Sequence, residues 1–199
     1  MKIVGLCGSL RAASFNRALL RAAAARLPAG VTLDVVEIGA LPLINQDLEK
    51  PEWPASVQAF RRALWPAQAM LIATPEYNAG MPAPLKNAID WASRAEGIGG
   101  RTAPEGEARK TPLEDLPVAI MGATPGSLGT ARSQQQLRTV LLNTGMRVLP
   151  LPEVYVGSAG TRFTDGELTD ERSLAAVAKL VAALADWARL VGTPGAKAP

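Results

Sequence analysis

The sequence predicts an α/β fold in which helices cover both faces of a doubly wound parallel sheet. Short apolar runs typical of strands alternate along the chain with longer segments of helical periodicity, a pattern that parallel sheets with crossover helices produce. The expected strands are 2–7, 31–38, 68–75, 116–123 and one or two within 146–156, and the expected helices are 16–27, 55–65, 83–93, 129–145 and 168–191.

Each of these elements rests on a local pattern. "KIVGLC" at the N-terminus, "QAMLIATP" from Gln68 and "LPVAIMGA" from Leu116 are short apolar runs bounded by turn residues, which favours buried strands. The helix that starts after "GATPGSL" ends at Gly145, a common helix terminator, and the last helix begins where Thr169 or Asp170 can cap its first turn. The strands and helices therefore alternate through the whole chain.

Length and composition predict one globular domain. The chain has 199 residues, of which 48% are apolar and 20% charged, so we expect a single domain over 1–191 and a disordered tail over 192–199. No apolar run approaches the ~20 residues of a membrane span. The N-terminus enters a strand at once and lacks the features of a signal peptide, which predicts a cytoplasmic protein without a membrane contact.

The charge and the missing residue types narrow the chemistry. The net charge is +3 and the arginines are scattered, so we expect no nucleic-acid partner, and a small phosphate-bearing ligand suffices to use the basic character. The chain has no histidine and a single cysteine, Cys7. It therefore cannot form a Ser-His-Asp or Cys-His nucleophile pair or a His/Cys zinc site, and we expect no bound metal. Cys7 itself is expected to be a buried structural thiol.

The stretch "GSLRAASFNRAL" at 8–19 concentrates hydrogen-bond donors between the first strand and the first helix. The helix N-terminus favours an anion, and Ser9, Ser14 and Asn16 add side-chain donors. Arg11 adds a planar charged group suited to phosphate oxygens. An ordinary N-cap would need only one of these residues. A phosphate site is the favoured interpretation, with a plain cap as the alternative.

Two further polar loops follow other strands, and the carboxyl ends of parallel strands share one edge of the sheet. "TPEYNAGMPAP" follows the third strand, and its prolines hold the remaining N–H groups rigidly, which suits a flat heterocycle. The alternative is a proline-rich helix start in which Tyr77 covers the core. "GATPGSLGTAR" follows the fourth strand. We expect these three loops to converge on one crevice.

The pair of motifs "GSLRAASFNRAL" and "TPEYNAGMPAPLKNAIDWAS" resembles the NADPH-dependent FMN reductase family, which includes bacterial quinone and chromate reductases. This resemblance implies a flavodoxin-like fold with a five-stranded parallel sheet, and FMN as the resident cofactor with NADPH or NADH as co-substrate. It implies that the flavin performs the chemistry and that no side chain is catalytic. The residues that correspond to the cofactor site are Ser9, Arg11, Ser14, Phe15, Asn16, Pro75, Glu76, Tyr77, Asn78 and Thr124.

The resemblance also implies small-molecule electron acceptors: quinones, flavins, and chromate or azo compounds. The alternative function is a flavodoxin-type electron carrier without its own nicotinamide site, although such carriers tend to be acidic and this chain is basic. A third alternative is a cofactor-free scaffold. We further expect a homodimer or homotetramer, because Trp91 and the loop 94–115 are expected to leave apolar surface beside the flavin. That loop is predicted to be a mobile flap or a subunit contact.

Overall fold

A computed structural model of the chain describes residues 1–192. All but the first residue of the predicted tail, 192–199, therefore lies outside the described residues. The strands are β1 (Lys2–Cys7), β2 (Thr32–Val36), β3 (Ala69–Ala73), β4 (Pro117–Ala123), β5 (Arg147–Val148), β6 (Val154–Val156), β7 (Phe163–Thr164) and β8 (Glu167–Leu168). The helices are α1 (Phe15–Ala24), α2 (Ala55–Leu64), α3 (Ala83–Ala92), α4 (Ala131–Asn143) and α5 (Glu171–Val191).

The main sheet is parallel and has the order β2-β1-β3-β4-β5. The fifth position is shared by two short strands, since β5 pairs with the start of β4 and β6 pairs with its end. This confirms the predicted α/β fold and the expectation of one or two strands within 146–156. The sequence did not predict the small antiparallel hairpin of β7 and β8, which lies outside this sheet.

Two apolar layers form the core, one on each face of the sheet. Along β1, Ile3 packs with α1 and α5, whereas the next residue, Val4, packs with α2, α3 and α4. The same alternation continues in β3, where Leu71 belongs to the first layer and Ile72 to the second. The central strands are therefore buried on both faces, which explains why they are continuous apolar runs in the sequence.

The segment 94–115, predicted to be a flap or a subunit contact, is docked on its own chain. The side chain of Arg61 in α2 is fully buried and pairs with Glu96 at 2.6 Å. Thr102 accepts hydrogen bonds from Arg61 Nε and Trp65 Nε1, and it donates its backbone N–H and hydroxyl to Glu96. These buried contacts fix the segment against α2 and the end of α3.

The expectation that Trp91 contributes exposed aromatic surface is wrong. Its ring is fully buried with Trp53 and Val57, and its indole N–H donates to the carbonyl of Pro42 at 2.8 Å. Trp91 stabilises the connection between β2 and α2 from inside the core of the chain. In the described part of the chain, no helix has the length and apolar character that crossing a bilayer requires.

Candidate active site

Three polar loops lie at the carboxyl edge of the sheet, as the alternating pattern predicts. We refer to 8–14 after β1 as the first loop, 74–82 after β3 as the second loop, and 124–130 after β4 as the third loop. Side-chain contacts connect each loop to the others or to α4, the helix that follows the third loop. The site is therefore one connected unit at the place where sheets of this class bind ligands.

The first loop ends in a well-formed helix cap. Ser14 Oγ accepts hydrogen bonds from the N–H groups of Asn16 at 3.2 Å and Arg17 at 3.4 Å, and the first turn of α1 contains no acidic residue. Arg11 is exposed, and within residues 1–192 its guanidinium makes no hydrogen bond or ion pair. The α1 N-terminus thus combines the partial positive charge of the helix with an available arginine, which suits an anion.

Asn16 and Phe15 have structural contacts that the sequence did not reveal. The side chain of Asn16 is buried, and its carboxamide both donates to the carbonyl of Ala123 and accepts from the N–H of Ala123, each at 2.9 Å. The ring of Phe15 packs against Phe163, with centroids 4.8 Å apart. Asn16 therefore ties α1 to the end of β4, and Phe15 borders the core.

The first and second loops approach each other closely at Gly8. A Cβ atom there would lie 2.8 Å from Pro82 Cγ and 3.1 Å from Pro75 Cδ, so a larger residue would push the two loops apart. One residue further on, the buried Ser9 places its Oγ 3.5 Å from the phenol oxygen of Tyr77. Glycine at position 8 is what allows this contact between the loops.

The second loop makes a tight hairpin turn over residues 77–80. The N–H of Tyr77 donates to Gly80 O at 3.1 Å, and the N–H of Gly80 donates to Tyr77 O at 2.9 Å. Between them, Asn78 and Ala79 have φ angles of 48° and 62°. In the described part of the chain, no hydrogen bond uses the N–H groups of these two residues. Tyr77 is 49% exposed, so the alternative in which it covers the core is wrong.

The carboxylate of Glu76 is hydrogen-bonded to the first turn of α4. It accepts hydrogen bonds from the N–H groups of Arg132 at 3.0 Å and Ser133 at 3.3 Å, and from Arg132 Nε at 2.7 Å. Burial alone would raise the pKa of Glu76, but the hydrogen bonds and charge of Arg132 and the N–H of Ser133 outweigh it, and the pKa is lowered. Glu76 is therefore ionised at neutral pH and caps α4 from the second loop.

A cavity of about 350 Å³ opens between the second and third loops. Three of the predicted site residues line it: Glu76, Asn78 and Thr124. Thr124 Oγ1 accepts from the N–H of Gly126 at 3.4 Å, which shapes the start of the third loop. The remaining lining residues belong to the two loop sequences expected at the crevice but were not named there as cofactor residues: Ala79, Gly126, Ser127, Leu128 and Arg132.

Several residues that organise the site lie in the "ARSQQQ" run at the start of α4. Arg132 holds Glu76, Ser133 Oγ lies 3.0 Å from Thr74 Oγ1, and the buried Gln134 donates to the carbonyl of Val154 at 3.0 Å. Gln136 contacts the turn at 77–80. The only signal in the sequence was the high density of polar residues on a helix that must pack on one side.

Residues 1–161 match the family described as NADPH-dependent FMN reductase. The chain belongs to this family. The match confirms the resemblance inferred from the paired motifs, and with it the predicted enzyme class, an NAD(P)H-dependent FMN or quinone reductase. The family name implies FMN and NAD(P)H.

Full-length relatives agree with this assignment. The chain is 38% identical over 190 residues to an NAD(P)H-dependent FMN reductase of Pseudomonas aeruginosa, covering 95% of this chain and 96% of that protein. It is 35% identical to a 2-hydroxy-1,4-benzoquinone reductase of a Burkholderia species, covering 95% and 97%. The solved structure of FerB, a flavoenzyme NAD(P)H:(acceptor) oxidoreductase of Paracoccus denitrificans, superposes with a TM-score of 0.81 at 31% identity, covering 96% and 99%.

Proposed function

We propose that FMN is the resident cofactor of this reductase and that its phosphate binds at the first loop. The observation that carries the proposal is the donor set at the α1 N-terminus: a capped helix start without acidic residues, beside an arginine that has no partner in the described residues. The first loop also lacks the G-x-G-x-x-G spacing that binds a pyrophosphate, which favours a mononucleotide over a dinucleotide.

The flavin ring would lie against the second and third loops. The N–H groups of Asn78 and Ala79 are the available backbone donors of the turn at 77–80, and Thr124 lines the same cavity. Such fixed N–H groups can stabilise negative charge on a ring edge. When bound, FMN supplies the hydride and electron transfers between NAD(P)H and the acceptor. The protein would bind and orient the reactants and keep Glu76 ionised as part of the scaffold.

Quinones are the acceptors that we propose first, because the reductases of the Burkholderia species and of Pseudomonas putida among the relatives are named for them. Free flavins, azo compounds and chromate remain proposals from the sequence resemblance. The cavity between the second and third loops contains one carboxylate, and Arg132 already pairs with it. We therefore expect selectivity to follow the shape and reduction potential of the acceptor.

The experiment is a titration of FMN-free protein with FMN, followed by anaerobic addition of NADPH. We expect FMN to bind and NADPH alone to bleach the oxidised flavin band, which a quinone then restores. An electron carrier would bind FMN but need a separate reductase for bleaching. A cofactor-free scaffold would not bind FMN at all. Failure to bind FMN would overturn the proposed cofactor, and FMN binding without bleaching by NADPH would overturn the proposed transfer from NADPH to the bound flavin.

Arg11→Ala should weaken FMN binding by about 1.5 to 3 kcal/mol, because a charge-assisted contact with the phosphate is lost. Riboflavin, which lacks the phosphate, should bind the variant and the wild type equally well. The matched control is Arg62→Ala, which removes an exposed arginine of α2 whose side chain contacts Gln58. Unchanged FMN affinity in the Arg11 variant would remove this residue from the site.

We also propose that two or four copies assemble with closed symmetry near the flavin site. The supporting surface differs from the one predicted, since Trp91 is buried. Leu10 of the first loop and Leu43, Ile44 and Leu48 after β2 are exposed apolar residues, and a Cβ atom added at Gly39 would lie 3.4 Å from Leu10 Cδ2, so Leu10 lies close to the segment that follows β2. Light scattering at micromolar concentration should give two or four times the mass of one chain. The mass of a single chain would contradict the proposal.

A further inference from the structure

The turn at 77–80 holds a residue in a conformation that its side chain disfavours. Asn78 and Ala79 occupy the two central positions, both with positive φ, as in a type I′ turn. Asparagine tolerates the left-handed region, but alanine does not favour it, and glycine is the preferred residue at the second central position. Ala79 therefore needs support from its surroundings to keep this conformation.

Gln136 of α4 supplies contacts on both sides of Gly80. Its Nε2 donates to the carbonyl of Ala79 at 3.2 Å, and its Oε1 accepts from the N–H of Met81 at 3.2 Å. A Cβ at position 80 would lie 3.1 Å from Gln136 Oε1, so glycine there leaves room for the carboxamide. One side chain thus bridges two peptide groups that flank the glycine.

Glu76 and Gln136 together hold the two ends of the second loop on α4. Glu76 pairs with Arg132 at the start of α4. Gln136 lies four residues after Arg132, so Arg132 and Gln136 lie on the same face of the helix. The residues between these anchors include Asn78 and Ala79, which line the cavity. Any rotation of the turn would move their N–H groups relative to the cavity wall.

We infer that Gln136 is a positioning residue for the reductase site: its carboxamide keeps Ala79 in the left-handed conformation and so fixes the cavity-lining face of the turn at 77–80. The ligand whose binding depends on this geometry is FMN, and in that respect the inference rests on the proposed function. The contact between Gln136 and the turn involves protein atoms only, so it can be tested in FMN-free protein.

The first test measures amide hydrogen exchange by NMR in FMN-free protein. Gln136→Ala removes the acceptor of the Met81 N–H and loosens the turn in which the Gly80 N–H donates to Tyr77 O. The exchange rates of both amides should therefore rise by about fivefold to tenfold, the effect expected when one or two hydrogen bonds are lost or weakened. Gln135→Ala is the matched control, since Gln135 is the preceding residue on the same helix and its side chain is exposed. Equal exchange rates in the Gln136 variant and the wild type would overturn the inference.

The second test measures FMN affinity and includes a rescue. Gln136→Ala should raise the dissociation constant of FMN about fivefold to tenfold, whereas Gln135→Ala should leave it unchanged. Adding Ala79→Gly to the Gln136 variant should restore most of the affinity, because glycine adopts the positive φ without help. A loss of affinity that the added Ala79→Gly substitution does not rescue, or the same loss in the Gln135 variant, would contradict the inference.

The two tests separate this inference from the proposed function. If the wild-type protein does not bind FMN, the proposed cofactor is wrong, but the exchange rates of Gly80 and Met81 still decide whether Gln136 holds the turn. If FMN binds normally and the Gln136 variant matches the wild type in both measurements, the proposed function stands and the positioning role is wrong.

Discussion

Replacing Arg61 with leucine should lower the free energy of unfolding by about 3 to 5 kcal/mol, the loss expected when one partner of a buried ion pair is removed. The guanidinium has no exposed surface and donates to the carbonyls of Trp91 and Ala92, to Glu96 and to Thr102. Leucine would satisfy none of these acceptors. Urea denaturation followed by circular dichroism measures the change.

The same substitution should release the segment 94–115. Arg61 Cζ lies 4.3 Å from the centroid of the Trp53 ring, and the backbone N–H of Trp53 donates to Gly99 O at 2.8 Å, so the arginine supports the segment at two places. Burial lowers the pKa of Arg61, although Glu96 opposes this effect. Limited proteolysis should therefore cut the variant faster around Gly97 to Arg101 than it cuts the wild type.

Two further variants decide the cause of the effect. Arg62→Leu changes the neighbouring exposed arginine and should alter stability by no more than about 0.5 kcal/mol. The double variant Arg61→Met with Glu96→Gln should lose less stability than the sum of its two single variants, because no buried charge is then left unpaired. Strictly additive losses, or a loss below about 1 kcal/mol in Arg61→Leu, would show that the pair does not hold the segment.

The fold could be predicted from the sequence because its signals are local and periodic. The buried strands are continuous apolar runs, and the predicted boundaries of β1 agree with the structure. The start of α5 was also predicted, since Asp170 is its N-cap and accepts a hydrogen bond from the N–H of Ser173. Each of these features depends on residues within one or two turns of the chain.

The contacts that the sequence did not reveal join residues far apart in the chain. Arg61 and Glu96 are 35 residues apart, and Asn16 and Ala123 are 107 residues apart. A buried arginine has the same sequence signature as an exposed one, because helix periodicity does not tell which charged side chain is enclosed. The phosphate-binding interpretation of the first loop explained four polar residues by one ligand, whereas the structure assigns three of them to protein contacts: Ser14 to the cap, Ser9 to the interloop contact and Asn16 to the scaffold. Within residues 1–192, only the side chain of the fourth residue, Arg11, is left without a protein partner.

Asn16 offers the sharpest distinction between these interpretations. Its carboxamide is the buried link between α1 and the end of β4, and it satisfies both the N–H and the carbonyl of Ala123. Asn16→Leu leaves both groups unpaired, and a buried unpaired group costs about 1 to 3 kcal/mol. We therefore expect the free energy of unfolding of FMN-free protein to fall by about 2 to 4 kcal/mol, as measured by urea denaturation.

Asn16→Asp separates the two hydrogen bonds. A carboxylate can still accept from the N–H of Ala123, but it has no proton to donate to the carbonyl, so its pKa in the folded protein should rise above the ordinary aspartate value. The deficit relative to wild type should therefore shrink as the pH falls towards that ordinary value, because the protonated form regains a donor. Asn143→Leu, at an exposed position in α4, is the control and should have little effect. If Asn16 instead served only the phosphate, FMN-free Asn16→Leu protein would keep wild-type stability and would lose only its affinity for FMN.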